Sequence, residues 1–353
     1  MSEFQAQKSI LLTGSTGNFG KFLAIDLLKE QNVNLTLLVR GVTDEEARGR
    51  ASEIINLAPD RIKVYKSDLT KTDLDLSADH YSELAAYTTH ILHSAASTRF
   101  NLSLEEARLG NVIATKNVLT LANKCSKLVR FGFLSSALIA GRRSGEIKED
   151  EFEHDSGFNN TYQQTKYEAE ALVRSEASKF SSVIFRPPFI VSDFSDSGSQ
   201  KNFLSVLISL IAKGYLPCVP GSAQSTMDIV NGHDAAEIIV NIFLKEKPSY
   251  LTYQITNGAA ALRIKTLHDL VEKQVGRSIP IEYCGDIETF SKRLNEILIQ
   301  KPELKEVYKR AETFLLEPAF PKIFDNHHTL AEMGRQTLGE DPAVTLTHMI
   351  KKS

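Results

Sequence analysis

Short apolar runs alternate with amphipathic stretches along the first half of this chain. Residues 9–12 (Ser-Ile-Leu-Leu) read as a buried strand, and residues 21–31 repeat Phe22, Leu23, Ile25, Leu27 and Leu28 at helical spacing. Further strands are expected at residues 35–39, 62–65, 90–93, 128–134 and 182–186, with helical patterns over 105–122 and 162–179 among them. Strands that are apolar throughout and alternate with helices predict a parallel sheet covered on both faces. Right-handed crossovers then make a doubly wound α/β fold the expectation.

The rhythm changes near residue 190. Residues 192–202 are rich in Ser, Asp and Gly and read as a loop, and 202–213 form an amphipathic helix carrying Phe203, Leu204, Val206, Leu207, Leu210 and Ile211. Residues 251–255 predict one more strand rejoining the sheet. The remainder, to Ser353, is mainly helical and charged, broken by Pro302, Pro318 and Pro321. The division expected is 1–190 as a nucleotide-binding domain, with a return strand near 251–257, and 191–353 as a smaller, mostly helical substrate lobe over the sheet's carboxyl edge.

Composition narrows the function. Among 353 residues, 41 Lys and Arg face 44 Asp and Glu, a net charge of −3, which leaves no basic footprint for nucleic acid or an anionic membrane. Cys125, Cys218 and Cys284 are odd in number and far apart, without metal-type spacing or a disulfide framework, so a reduced compartment is expected. The first residues lack the build of a secretory signal, and the apolar stretch 203–212 is too short to span a bilayer. A cytoplasmic protein without a membrane span is predicted. His90 with His93, and His327-His328, come without a convincing carboxylate or thiolate set, and no metal is assigned.

Candidate chemistry begins directly after the first strand, at Thr13-Gly14-Ser15-Thr16-Gly17-Asn18-Phe19-Gly20. Gly14 permits a tight turn, Gly17 close approach to a pyrophosphate, and Gly20 close helix–strand packing. Free N–H groups of the following helix then face the phosphates. This predicts dinucleotide binding in a Rossmann-like sheet. The second strand ends in Arg40, a cation where a carboxylate would hydrogen-bond ribose, which favours NADP(H) over NAD(H). Asp68 and Leu69, after the third strand, fall near the adenine; a turn role competes for Asp68. Tyr162 and Lys166 stand four apart at the start of a helical run, so phenol and ammonium share one face and the ammonium is expected to favour phenolate. Ser135-Ser136 closes the fifth strand, where a hydroxyl can hold a substrate oxygen.

Taken together, the Thr-Gly-x-x-Gly-x-x-Gly loop and the ordered Ser, Tyr and Lys set resemble the extended short-chain dehydrogenases/reductases, over roughly the first 240 residues. The resemblance implies that Ser136, Tyr162 and Lys166 are catalytic and that Asn111 helps shape the proton relay. It also implies that Ser94, Ala95 and Ala96 lie by the cofactor and that Pro188, Phe189 and Ile190 run along the nicotinamide. Within that family, residues 93–101 (His-Ser-Ala-Ala-Ser-Thr-Arg-Phe-Asn), Ile139-Ala140-Gly141 and Phe324-Asp325-Asn326 look most like thioester reductases and fatty acyl reductases. The implied activity is NADPH-dependent reduction of a carbonyl, with an acyl thioester on coenzyme A or a separate carrier protein as the narrower expectation. Two rival readings stay open: a nucleotide-sugar epimerase or dehydratase retaining NAD, and a non-catalytic NAD(P) sensor.

Overall fold

The computed structural model describes residues 7–100, 102–191, 203–216 and 218–352. The loop expected at 192–202 lies outside the described residues. Seven parallel strands form the central sheet: β1 (Lys8–Thr13), β2 (Val33–Val39), β3 (Ile62–Lys66), β4 (His90–His93), β5 (Arg130–Leu134), β6 (Ser181–Arg186) and β7 (Thr252–Gln254). Their order is β7-β6-β5-β4-β1-β2-β3, the doubly wound arrangement the alternating pattern predicts. The chain leaves β3 at one edge and returns to pair β4 with β1, Thr13 opposite His93. The connections diverge there and open a crevice at the strands' carboxyl ends.

Strand geometry sorts the apolar residues between two cores. Successive side chains point to opposite faces, so Ile10 and Leu12 enter one cluster with Phe22, Leu23 and Leu27, whereas Leu11 enters another with Val118, Leu121 and Val173. Helix α1 (Asn18–Lys29) covers the first face; α2 (Ala114–Lys124) and α3 (Thr161–Glu176) cover the second. The helical pattern over 105–122 is interrupted by a π-helical stretch, Leu109–Ile113, between Leu104–Arg108 and α2.

A third core holds the mostly helical lobe. Leu207, Ile211, Leu267, Val271, Phe290 and Tyr308 bring together α4 (Phe203–Ala212), α5 (Ile264–Val275), Ile287–Gln300 and Lys305–Leu315. The boundary is not a single cut in sequence. Residues Gly232–Leu244 form a helix whose Ala235, Ile238, Ile239 and Ile242 join the first core against α1. The expected return strand is β7, with Tyr253 opposite Phe185.

One expectation is overturned. Cys218 and Cys284 form a disulfide, Cα atoms 6.1 Å apart, between the short parallel strands Cys218–Val219 and Glu282–Tyr283. Their separation of 66 residues in sequence hid a pairing that the lobe's folding creates. Cys125 is a buried free thiol. Among the described residues, no helix is long and apolar enough to cross a membrane.

Candidate active site

The glycine loop joins β1 to α1 within the crevice. Gly14 has φ +76°, a left-handed conformation that L side chains rarely adopt, and a Cβ there would lie 2.7 Å from the Ala95 nitrogen. At Gly20 a Cβ would lie 1.9 Å from the Gly14 oxygen, so only glycine lets the helix start this close to the loop. Gly17 donates its N–H to the Gly14 carbonyl (3.0 Å) and begins α1 without a side-chain cap. The helix therefore presents uncapped N–H groups from Asn18 and Phe19 beside the half-buried Thr16. The Ser15 hydroxyl is buried and without a hydrogen-bond partner. Open amides, an orphan hydroxyl and a backbone cradle fit a dinucleotide pyrophosphate.

Arg40 follows β2 on the surface, and the Arg50 guanidinium donates to the Arg40 carbonyl (2.6 Å). The sequence reading missed Arg50, because its helix had no periodic signal connecting it to β2. Asp68 turns one carboxylate oxygen to the Thr70 N–H (3.0 Å) and hydroxyl (2.7 Å), the turn role that competed with an adenine contact, and the Leu69 carbonyl accepts from Asn117 (2.9 Å).

At the end of β4, His93 is fully buried between the hydroxyls of Thr13 (2.7 Å) and Thr115 (3.0 Å). Burial holds its imidazole down to about 3, so it is neutral. The Thr13 hydroxyl also accepts from the Ala95 N–H (3.1 Å), fixing the half-buried run Ser94, Ala95 and Ala96 over Gly14. Asn111 sits in the π-helical stretch, where the altered turn aims its amide inward. It accepts from the Ser97 N–H (2.7 Å) and donates to the Thr165 hydroxyl (2.9 Å). Asn111 thus ties the loop after β4 to the helix carrying Tyr162 and Lys166.

The two serines after β5 point to different partners. Ser135 donates to Glu170 (2.5 Å), a buried carboxylate also held by Arg186 (2.6 Å) and Arg174 (2.8 Å). Ser136 lies beside the Tyr162 phenol, accepts from the Leu138 N–H (3.2 Å) and approaches the Pro187 carbonyl (3.4 Å). Pro187 accepts from the Ala137 N–H (2.9 Å), and Phe189 and Ile190 continue in the strand Phe189–Val191, so residues 187–190 flank the serine.

Tyr162 occupies the first turn of α3, whose N-cap Asn160 accepts from the Gln163 N–H (2.9 Å). Burial pushes its phenol above the ordinary range, with the Ser136 hydroxyl opposing. The expected depression by Lys166 is not found. The Lys166 ammonium is buried, 2.5 Å from the Leu134 carbonyl and over the Phe133 ring, so its charge is directed into the end of β5. Burial lowers it to about 7, and Glu170, one turn further along α3, opposes that shift. Glu170 also escaped the sequence reading, although its i+4 spacing from Lys166 was a visible signal.

A family profile described as male sterility protein, an NAD-binding family, matches residues 12–239. The chain is 30% identical over 307 residues to fatty acyl-CoA reductase 1 of Xenopus laevis, covering 72% of this chain and 59% of that protein. It is 29% identical over 286 residues to the Gallus gallus fatty acyl-CoA reductase 1, covering 69% and 55%. The chain thus spans under two thirds of the length of these relatives. Among solved structures, the terminal R domain of the myxalamid biosynthetic pathway superimposes with a TM-score of 0.82 at 20% identity, covering 98% of this chain and 91% of that domain. A Bacillus cereus UDP-glucuronic acid 4-epimerase reaches 0.67 at 18%, covering 98% and 99%, so the fold is shared with sugar-nucleotide enzymes. What separates the chain from those is the profile and the sequence relatives: it belongs to the male sterility protein family, the fatty acyl reductase-like branch of the extended short-chain dehydrogenases/reductases.

Proposed function

We propose that this protein is an NADPH-dependent reductase that converts an acyl thioester to an aldehyde, the acyl group arriving on coenzyme A or a separate carrier. The observation that carries the substrate class is a cavity in the helical lobe walled by Leu207, Ile211, Met227, Leu267, Phe314 and Leu315. Among the described residues its polar wall residues are His268 and Tyr283, and the His268 ring nitrogen is engaged by the Ile279 carbonyl (2.6 Å). A nucleotide sugar would bring a diphosphate, and no Lys or Arg among the described residues lines this cavity. Its apolar wall suits an alkyl tail, which brings no charge to bury where the lobe opens to admit it. The preference for NADPH is supported by Arg40 at the end of β2, a cation where a carboxylate would suit a free ribose, with the Arg50 guanidinium held on the Arg40 carbonyl.

Bound at the glycine loop, the nicotinamide cofactor supplies a hydride to the carbonyl carbon. The neighbouring hydroxyls of Ser136 and Tyr162 form the donor pair that receives the carbonyl oxygen. A phenol pushed upward by burial is neutral at physiological pH and has a proton to give as the oxyanion develops. The resulting hemithioacetal breaks its C–S bond, releasing the aldehyde and a thiol. Lys166 offers ammonium near neutrality, and Asn111 keeps α3 in register with the loop after β4. The complete Ser, Tyr and Lys set argues against a sensor without turnover.

The test is NADPH consumption with dodecanoyl-coenzyme A, alongside epimerisation of a nucleotide sugar. Thioester-dependent oxidation with aldehyde formation is expected; epimerisation without net NADPH loss would sink the proposal. Tyr162→Phe should keep NADPH affinity and lower turnover by about 10²- to 10⁴-fold, measured by cofactor titration and steady-state kinetics.

A further inference from the structure

The lobe cavity and the reacting hydroxyls are separated by aromatic rings in series. Phe314, on the helix Lys305–Leu315, lines the cavity and meets Phe100 edge-on, ring centroids 4.1 Å apart. Phe100 in turn meets the Tyr162 ring edge-on at 5.0 Å. Phe314 also lies 5.4 Å from Phe189, the residue continuing the stretch beside Ser136. Met227 completes the partition. It lines both the lobe cavity and a second cavity bounded by Leu138, Pro188 and Phe189 together with Asp228, Glu317 and Lys322.

The lobe cavity is narrow: its free volume is about 20 Å³, room for about one water-sized sphere. A chain bound with its carbonyl at Ser136 and Tyr162 therefore reaches the lobe only by displacing part of this partition. Met227 is flexible and adapts at low cost. Phe314 is 3% exposed and held against other rings, so its displacement is the selective step.

We propose that Phe314 is a specificity-determining gate: its ring decides how far a linear acyl chain enters the lobe while the carbonyl sits at Tyr162. The gate rests on the acyl-reductase reading, and it adds which residue sets chain length. Removing the ring opens the lobe cavity towards Phe100 and Tyr162 and favours long tails; enlarging it excludes them.

The experiment compares wild type, Phe314→Ala and Phe314→Trp with butanoyl-, octanoyl-, dodecanoyl- and hexadecanoyl-coenzyme A, recording kcat/KM. The same proteins are titrated with the corresponding free fatty acids, a readout independent of turnover. NADPH titration verifies an intact nucleotide site; if Phe314→Ala fails it, Phe314→Leu replaces it. In the Ala variant the ratio of hexadecanoyl to octanoyl kcat/KM is expected to rise about 10-fold, and in the Trp variant to fall while butanoyl is spared. An unchanged length profile in both kinetics and binding, with NADPH binding intact, overturns the gate. If wild type reduces none of the thioesters while Phe314→Ala still changes the length dependence of fatty-acid binding, the activity reading fails and the gate stands.

Discussion

At the scale of single residues, the site is decided by which hydroxyl faces which charge. Ser135 and Ser136 are neighbours of one type, yet β5 sends the first to Glu170 and the second to Tyr162. Ser136→Ala should lower kcat about 10²-fold, whereas Ser135→Ala should leave kcat within a few-fold and lower the melting temperature; kinetics and thermal scans on the pair separate the roles. Lys166 gives a pH signature. Its folded value, about 7, lies below the 10.5 of an exposed lysine. Above 10.5 the amine is neutral folded or unfolded; as pH falls towards 7 only the unfolded chain takes up the proton, so stability is lost across that window. Lys166→Met removes this dependence, and its melting temperature without cofactor should gain on wild type by a few degrees between pH 10 and 7, read by calorimetry. The sequence revealed Tyr162 and Lys166 through spacing alone. It misjudged their coupling because burial and the Leu134 carbonyl, both products of the fold, outweigh proximity along a helix.

At the scale of elements, the β1–loop–α1 unit was legible because each demand is local. Gly14 and Gly20 are required by backbone atoms within the same turn or by the adjoining loop after β4. Gly20→Ala would place a methyl 1.9 Å from the Gly14 oxygen, forcing α1 away from the loop. It should weaken NADPH binding at least about 10-fold, measured by cofactor fluorescence, and lower the melting temperature through the core shared by Phe22 and Leu23. Other features were invisible for the opposite reason. The π-helical stretch around Asn111 has ordinary helical sequence, and its extra residue per turn is stabilised by the distant Ser97 and Thr165. The helix Gly232–Leu244 carries a normal amphipathic pattern that says nothing of which core it joins.

Across the whole molecule, the lobe is secured by covalent as well as apolar contacts. The Cys218–Cys284 bond closes a loop of 66 residues, which in a chain-entropy account contributes about 4 kcal/mol. Cys284→Ser should lower the melting temperature of the oxidised protein by several degrees and bring it to that of the wild type treated with reductant, both followed by circular dichroism. A second tie runs through the sheet edge. Glu149, buried, accepts from the Gln254 N–H (2.7 Å) and the Thr329 hydroxyl (3.1 Å), and Gln254 donates to the Asp325 carbonyl (2.9 Å). Two distant stretches of chain, around Glu149 and over residues 325–329, thus converge on β7.

That convergence limits how this protein can be divided. A protease nicking the chain just after residue 191 would release no autonomous nucleotide-binding fragment, because the fragment would lack both β7 and the helix Gly232–Leu244. The outer edge of β6 would be stripped of its neighbour, and Phe22 and Leu23 would lose the Ala235 and Ile239 side chains of their shared core. The two lobes are interleaved rather than strung together, and they are expected to melt as one cooperative unit.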